Sequence, residues 1–301
     1  MRFVATLIGP AAGSLTDTHI AAARKALGGL GAKDTAPEWL AENEAADLFF
    51  DDLDPDQADA AIRRALDGAP IDCIAQPVEH RRKRLLIADM ESTIIQQEML
   101  DEIADLKGIK PQIAGITARA MNGEIDFAGA LNERVALLAG LPERDIDALM
   151  KRITFTPGAT ELVRTMRANG ARTLLVSGGF TLFADQVAAT LGFDFISANV
   201  LEFSGTPGKR VLTGKVVPPI RDRADKLDRL TEQAGRHRIP LTETIAVGDG
   251  ANDVPMLQAA GLGVAFHAKP AVKEVVRARV DHAGLAALLY AQGYAAGDFA
   301  R

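Results

Sequence analysis

Leu85-Leu86-Ile87-Ala88-Asp89-Met90-Glu91-Ser92-Thr93 is the stretch that decides the fold. A short continuous apolar run reads as a parallel strand buried on both faces. Ligands of open α/β sheets bind at the carboxyl ends of such strands. Two carboxylates, Asp89 and Glu91, and a hydroxyl are therefore presented at a strand tip. A carboxylate placed there can attack phosphorus.

The same placement recurs down the chain. Thr173-Leu174-Leu175-Val176 precedes Ser177-Gly178-Gly179, and Thr244-Ile245-Ala246-Val247 precedes Gly248-Asp249-Gly250-Ala251-Asn252-Asp253. Gly263-Val264-Ala265-Phe266 supplies a further strand. Strands alternating with helical stretches predict a doubly wound parallel sheet of the α/β class. Met99–Leu106, Pro111–Met121, Phe127–Leu138 and Arg144–Met150 show helical spacing between the first two strands, punctuated by Gly108, Gly123 and Gly140-Leu141-Pro142. A crossover needs one helix, so this passage predicts a helical cap over the strand ends, at about 97–153. Residues 199–216 read as a hairpin around Gly205-Thr206-Pro207-Gly208.

Residues 1–80 read as a separate ferredoxin-like α+β domain with βαββαβ order. Its strands are Phe3–Ile8, one near Trp39, one at Leu48-Phe49-Phe50 and one at Ile71–Ala75. Its helices are Thr18–Leu27, capped by Asp17 or Thr18, and Asp54–Leu66 with Pro55 in the first turn. Arg81-Arg82-Lys83-Arg84 marks the boundary and reads as a solvated linker face, leaving 81–301 as the second domain.

Taken together, the strand ends put a hydroxyl, glycine amides and several carboxylates on one sheet edge. Such carboxylates repel one another unless a cation neutralises them. Oxygen-only ligands favour Mg²⁺, with Asp89 and Asp249 as direct ligands, Asp253 behind them and Asn252 as a hydrogen-bond donor. In-line attack by Asp89 gives an aspartyl-phosphate that water then hydrolyses. Ser177, the amides near Gly178 and a lysine can hold the equatorial oxygens. Glu91, at i+2 in an extended segment, faces the same way as Asp89 and can serve as acid and base. Each motif alone is also satisfied by a helix N-cap or an ordinary turn; their order and shared position carry the reading.

Composition excludes several classes. The chain has 301 residues and net charge −6, so it offers no basic footprint for nucleic acid. Cys73 is the only cysteine, which suits a reducing compartment. Residues 2–9 are apolar after Arg2 but end too early, at Gly9-Pro10, for a signal segment, and no apolar run reaches membrane-spanning length. The expectation is a cytoplasmic protein acting on a small molecule, with no membrane partner. The histidines are scattered, and His267 is expected in a loop after a strand.

Over residues 85–290 the chain resembles the haloacid-dehalogenase (HAD) superfamily and, more narrowly, the phosphoserine phosphatases within it. The resemblance rests on Asp89-Met90-Glu91-Ser92-Thr93, Ser177-Gly178-Gly179, Lys226 in Ala224-Asp225-Lys226-Leu227, and Gly248 to Asp253. It implies a HAD-like Rossmannoid core, with Asp89 as nucleophile, Glu91 as acid/base, and Ser177 and Lys226 as phosphate ligands. It implies Mg²⁺ held by Asp89, the Glu91 carbonyl and Asp249, with Asp253 in the same group. Read alone, Lys226 is one lysine on a charged helix. The family has aspartate at the position of Glu91; the added methylene changes the reach of the acid while keeping its chemistry. Alternative readings are another small phosphate ester as substrate, or phosphotransfer to an alcohol.

Phe127, Leu131, Arg134 and Leu138 fall on one helical stripe. Arg134 for a carboxylate and Glu98 for an ammonium would suit a zwitterion such as O-phosphoserine. The resemblance implies the same roles for Glu98 and Arg134, with Phe127 lining the pocket. Spacing alone favours a snorkelling Arg134 and a solvated Glu98. The N-terminal domain resembles the ACT type, which implies serine or another amino acid as ligand. Homodimerisation or a stability role fits it as well.

Overall fold

The computed structural model describes residues 2–33 and 35–300. The N-terminal unit runs β1 (Arg2–Ile8), α1 (Asp17–Gly29), β2 (Glu38–Ala41), β3 (Ala45–Asp51), α2 (Pro55–Ala65) and β4 (Asp72–Pro77). Its antiparallel sheet has the order β2-β3-β1-β4, the ferredoxin-like arrangement expected. Asp54 starts α2 by accepting the N–H groups of Asp56 (2.7 Å) and Gln57 (3.2 Å), with Pro55 in the first turn. Helix α1 begins differently from expectation. Its cap is Thr16, whose N–H donates to His19 Nδ1, so neither Asp17 nor Thr18 holds that place.

Strand alternation gives this sheet two covered faces. Ala5, Leu7, Cys73 and Ala75 pack under α1 and α2, while Ile8, Ala45 and Ile74 join the main core. The basic run at the join is only half solvated: Arg82 and Arg84 are exposed, and the other two are not. Arg81 and Lys83 are 9% and 6% exposed. Arg81 forms a two-pronged pair with Asp47 and also donates to Thr6 Oγ1 and the Ala291 carbonyl. Lys83 Nζ donates to the Thr242 carbonyl. Charge patterning could not show this, because every partner is distant in sequence.

The second unit continues with β5 (Leu85–Asp89) and the cap helices α3 (Met99–Lys107), α4 (Lys110–Met121), α5 (Phe127–Ala136) and α6 (Glu143–Met150). It returns through α7 (Ala159–Ala168), β6 (Arg172–Phe180), α8 (Thr181–Leu191), β7 (Phe195–Ser204) and β8 (Val211–Val217). It ends with α9 (Arg223–His237), β9 (Thr244–Gly248), α10 (Val254–Ala259), β10 (Leu262–Phe266), α11 (Pro270–Lys273), β11 (Arg279–Val280) and α12 (Ala287–Ala291). The sheet order is β11-β10-β9-β5-β6-β7-β8. All its neighbours run parallel except β8, which turns back along β7. Strand β5 lies where the winding reverses, with β6 on one side and β9 on the other, and this is where such sheets bind ligands.

The expected hairpin is present, but its first strand also extends the sheet. Phe195–Ser197 pair with Leu174–Val176 in parallel before the chain turns. Two short backbone segments join cap to core. They pair with each other: Gln96 N–H donates to Thr154 O (2.9 Å) and Thr156 N–H to Ile94 O (3.0 Å).

Candidate active site

Asp89 ends β5 and is 6% exposed. Lys226, on the buried face of α9, places Nζ 2.5 Å from Asp89 Oδ1 and 2.6 Å from Asp253 Oδ1. The second Asp253 oxygen accepts the Gly250 N–H (3.0 Å). Carboxylate oxygens of Asp89, Asp249 and Asp253 lie within 4.8 Å of one another. Burial, then the Asp253 charge, pushes Asp89 well above the usual carboxylate range despite Lys226. The same two causes push Asp249 up to about 6. Burial lowers Lys226, but its ion pairs with Asp89 and Asp253 outweigh this and raise it.

These residues fit a hard divalent cation. All the donors are oxygens, and two of the carboxylates are held toward protonation by burial and then by the Asp253 charge. Both Asp253 oxygens are already engaged, so Asp89 and Asp249 are the freer donors. Asp253 thus holds Lys226 and the 248–253 loop in place. Lys269 contributes a cation that the sequence reading did not single out; its Nζ lies 3.9 Å from Asp249 Oδ2.

Glu91 reaches further than its spacing suggests. Oε1 accepts the N–H of Met99, the first residue of α3 (2.8 Å), and Oε2 accepts the Ser177 hydroxyl (3.4 Å). Burial, then the nearby Glu98 charge, raises Glu91 to about 7. A Cβ at Gly179 would lie 2.5 Å from Glu91 Oε2, so the longer acid occupies the space over a glycine. Ser177 Oγ in turn accepts the Gly179 N–H (2.8 Å). That bond orients the hydroxyl at the strand tip.

The cap supplies the remaining predicted residues. Glu98 immediately precedes α3 and accepts the Ser92 hydroxyl (2.7 Å). Arg134 donates through Nε to Ala130 O (3.1 Å), and its charge faces Asp101, Glu91 and Glu98. Leu131 and Leu138 on the same stripe are buried, while Phe127 is 39% exposed. The Phe127 ring reaches across to the core, where a Cβ on Gly178 would stand 3.4 Å from it. A cleft of about 690 Å³ opens between cap and strand tips, lined in part by Ser92, Glu98, Asp101, Arg134, Asp249 and Lys269. Asn252 sits exposed on the 248–253 loop, with Oδ1 folded back over Gly250.

Sequence reasoning missed two supporting residues on β7. Asn199, 1% exposed, donates to the carbonyls of Gly178 (2.9 Å) and Arg221 (3.0 Å) and accepts the Arg221 N–H (2.7 Å). It thus ties the Ser177-Gly178 loop to the entrance of α9, which carries Lys226. Ser197 donates to Asp225 (2.5 Å) on the same helix. Polar residues alternating along a strand were the available signal.

Residues 86–258 match the haloacid dehalogenase-like hydrolase family. The chain belongs to that family. Over 218 residues it is 44% identical to phosphoserine phosphatase SerB2 of Mycobacterium tuberculosis, covering 72% of this chain and 52% of that protein. The chain therefore spans about half the length of this curated relative. A crystal structure described as a probable phosphoserine phosphatase from Vibrio cholerae superposes with a TM-score of 0.78 at 31% identity, over 99% of this chain and 88% of that one. A structure described as a phospho-aspartyl intermediate analogue of phosphoserine phosphatase superposes with a TM-score of 0.62 at 37% identity, over 69% and 98%.

Proposed function

We propose that this chain is a Mg²⁺-dependent phosphoserine phosphatase releasing L-serine and phosphate by way of an aspartyl-phosphate on Asp89. The observation that carries the reading is Asp89 at the switch point, paired with buried Lys226 below a cap that presents Glu98 and Arg134. A bound Mg²⁺ supplies charge neutralisation, and Asp89 and Asp249 would hold it.

The chain's own groups account for the remaining steps. Lys226, Ser177 and the strand-tip amides hold the phosphate oxygens, so the dianion meets fixed positive charge and donors. Asp89 attacks phosphorus in line while Glu91, raised to about 7, gives its proton to the departing serine oxygen. The ionised Glu91 then takes a proton from the water that opens the aspartyl-phosphate. Arg134 receives the substrate carboxylate and Glu98 its ammonium, while Phe127 covers the phosphate loop.

The test is phosphate release from a panel of phosphorylated small molecules, with EDTA and with Mg²⁺ restored. Phosphoserine should show the highest kcat/KM, and activity should vanish with EDTA and return with Mg²⁺. A different preferred ester, or full activity in EDTA, overturns the substrate or the metal reading respectively.

A further inference from the structure

We infer that Asp72, in the N-terminal sheet, is a positioning residue for the cap hinge. Asp72 opens β4, is fully buried, and lies on the face turned toward the second unit. Its carboxylate accepts three backbone N–H groups: Asp281 (2.7 Å), His282 (3.1 Å) and Ala283 (2.8 Å). A buried carboxylate with that many donors fixes the turn it holds, because losing it strands all of them.

The turn then meets the hinge. Ala283 O contacts His267 Nε2 (2.9 Å), and Leu285 N–H donates to Pro157 O (2.8 Å). The backbones are in close contact here. A Cβ on Gly284 would lie 2.6 Å from Pro157 O, and one on Gly158 2.3 Å from Ala286 N. Pro157 directly follows the segment through which the cap rejoins the core, where Thr156 pairs with Ile94. A carboxylate, a turn and a hinge are thus joined by short hydrogen bonds, a contiguous physical link between the N-terminal sheet and the cap. Asp72 touches no reacting group; it acts by holding the hinge.

The experiment compares three variants of the full chain by hydrogen exchange of residues 94–96 and 154–156. Asp72→Asn places N–H donors against N–H donors, and Gly284→Ala disturbs the next contact of the link, between the turn and Pro157. Tyr290→Phe removes the Tyr290 hydroxyl bond to Glu44 (3.0 Å), which also joins the two units but makes no bond to the 281–285 turn or to Pro157. Asp72→Asn and Gly284→Ala should each speed hinge exchange about tenfold, the effect of about one lost hydrogen bond, while Tyr290→Phe leaves it unchanged. Both hinge variants should also raise KM for phosphoserine with little change for an aryl phosphate, an arm that rests on the proposed substrate. Unchanged hinge exchange in the folded hinge variants, or equal acceleration in Tyr290→Phe, overturns the inference. If Asp72→Asn does not fold, Asp72→Glu, which keeps the acceptor but displaces it against the turn, takes its place. If the native chain ignores phosphoserine, only the substrate reading fails, since exchange needs no substrate.

Discussion

At Glu91 the extra methylene carries the carboxylate to the Met99 N–H and over Gly179. Gly179→Ala should therefore collide with the acid and lower kcat. Shortening the acid should relieve the clash, so Glu91→Asp combined with Gly179→Ala should be more active than Gly179→Ala alone. Steady-state kinetics of the variants checks this, and a double variant slower than Gly179→Ala contradicts it. Glu91→Gln should reduce kcat by about 10²–10⁴, the usual worth of a positioned acid or base. Arg134→Ala should raise KM for phosphoserine about tenfold or more while sparing an aryl phosphate, since charge-assisted bonds are the strong ones. In the site, the pH dependence of stability follows from three raised carboxyls: Asp89, held well above the usual range, Glu91 from 4.5 to about 7 and Asp249 from 3.8 to about 6. Each binds its proton more tightly in the folded state. The metal-free fold therefore loses stability as pH rises through that window. Thermal unfolding should show Mg²⁺ stabilising the protein more at pH 7.5 than at about pH 5.

Among the elements, α9 shows what sequence could not supply. Lys226 looks like one more charge on a polar helix, and only the fold buries it between Asp89 and Asp253. Lys226→Met should abolish turnover and destabilise the metal-free fold by about 3 kcal/mol or more, because it leaves buried carboxylates unpaired. Denaturant unfolding checks that figure. Strands β5 and β9 were legible because both faces are covered, which writes them as unbroken apolar runs. The parallel half of β7 was not, because Ser197 and Asn199 interrupt its apolar pattern. Their partners, Asp225 and Arg221, lie more than twenty residues on. The cap helices were legible from spacing and glycine stops, since Gly108 ends α3 in the left-handed region at φ 70°.

Across the whole molecule, the two units behave as one packed body rather than two beads on a linker. Arg81, bound to Asp47 and to the Ala291 carbonyl, is the clearest bond between them. Arg81→Met should cost about 3–5 kcal/mol and separate a single calorimetric transition into two, because Asp47 is left buried and unpaired. The basic run misled because its charge is visible in sequence while its long-range partners are not. No helix among the described residues is long and apolar enough to cross a membrane. The catalytic account rests on covalent phosphorus on Asp89, which acid quenching can trap. Protein turning over radiolabelled phosphoserine should, after acid quenching and peptide mapping, carry label on the Asp89 peptide. Asp89→Asn should carry none. Sustained turnover with no label on that peptide would contradict the mechanism.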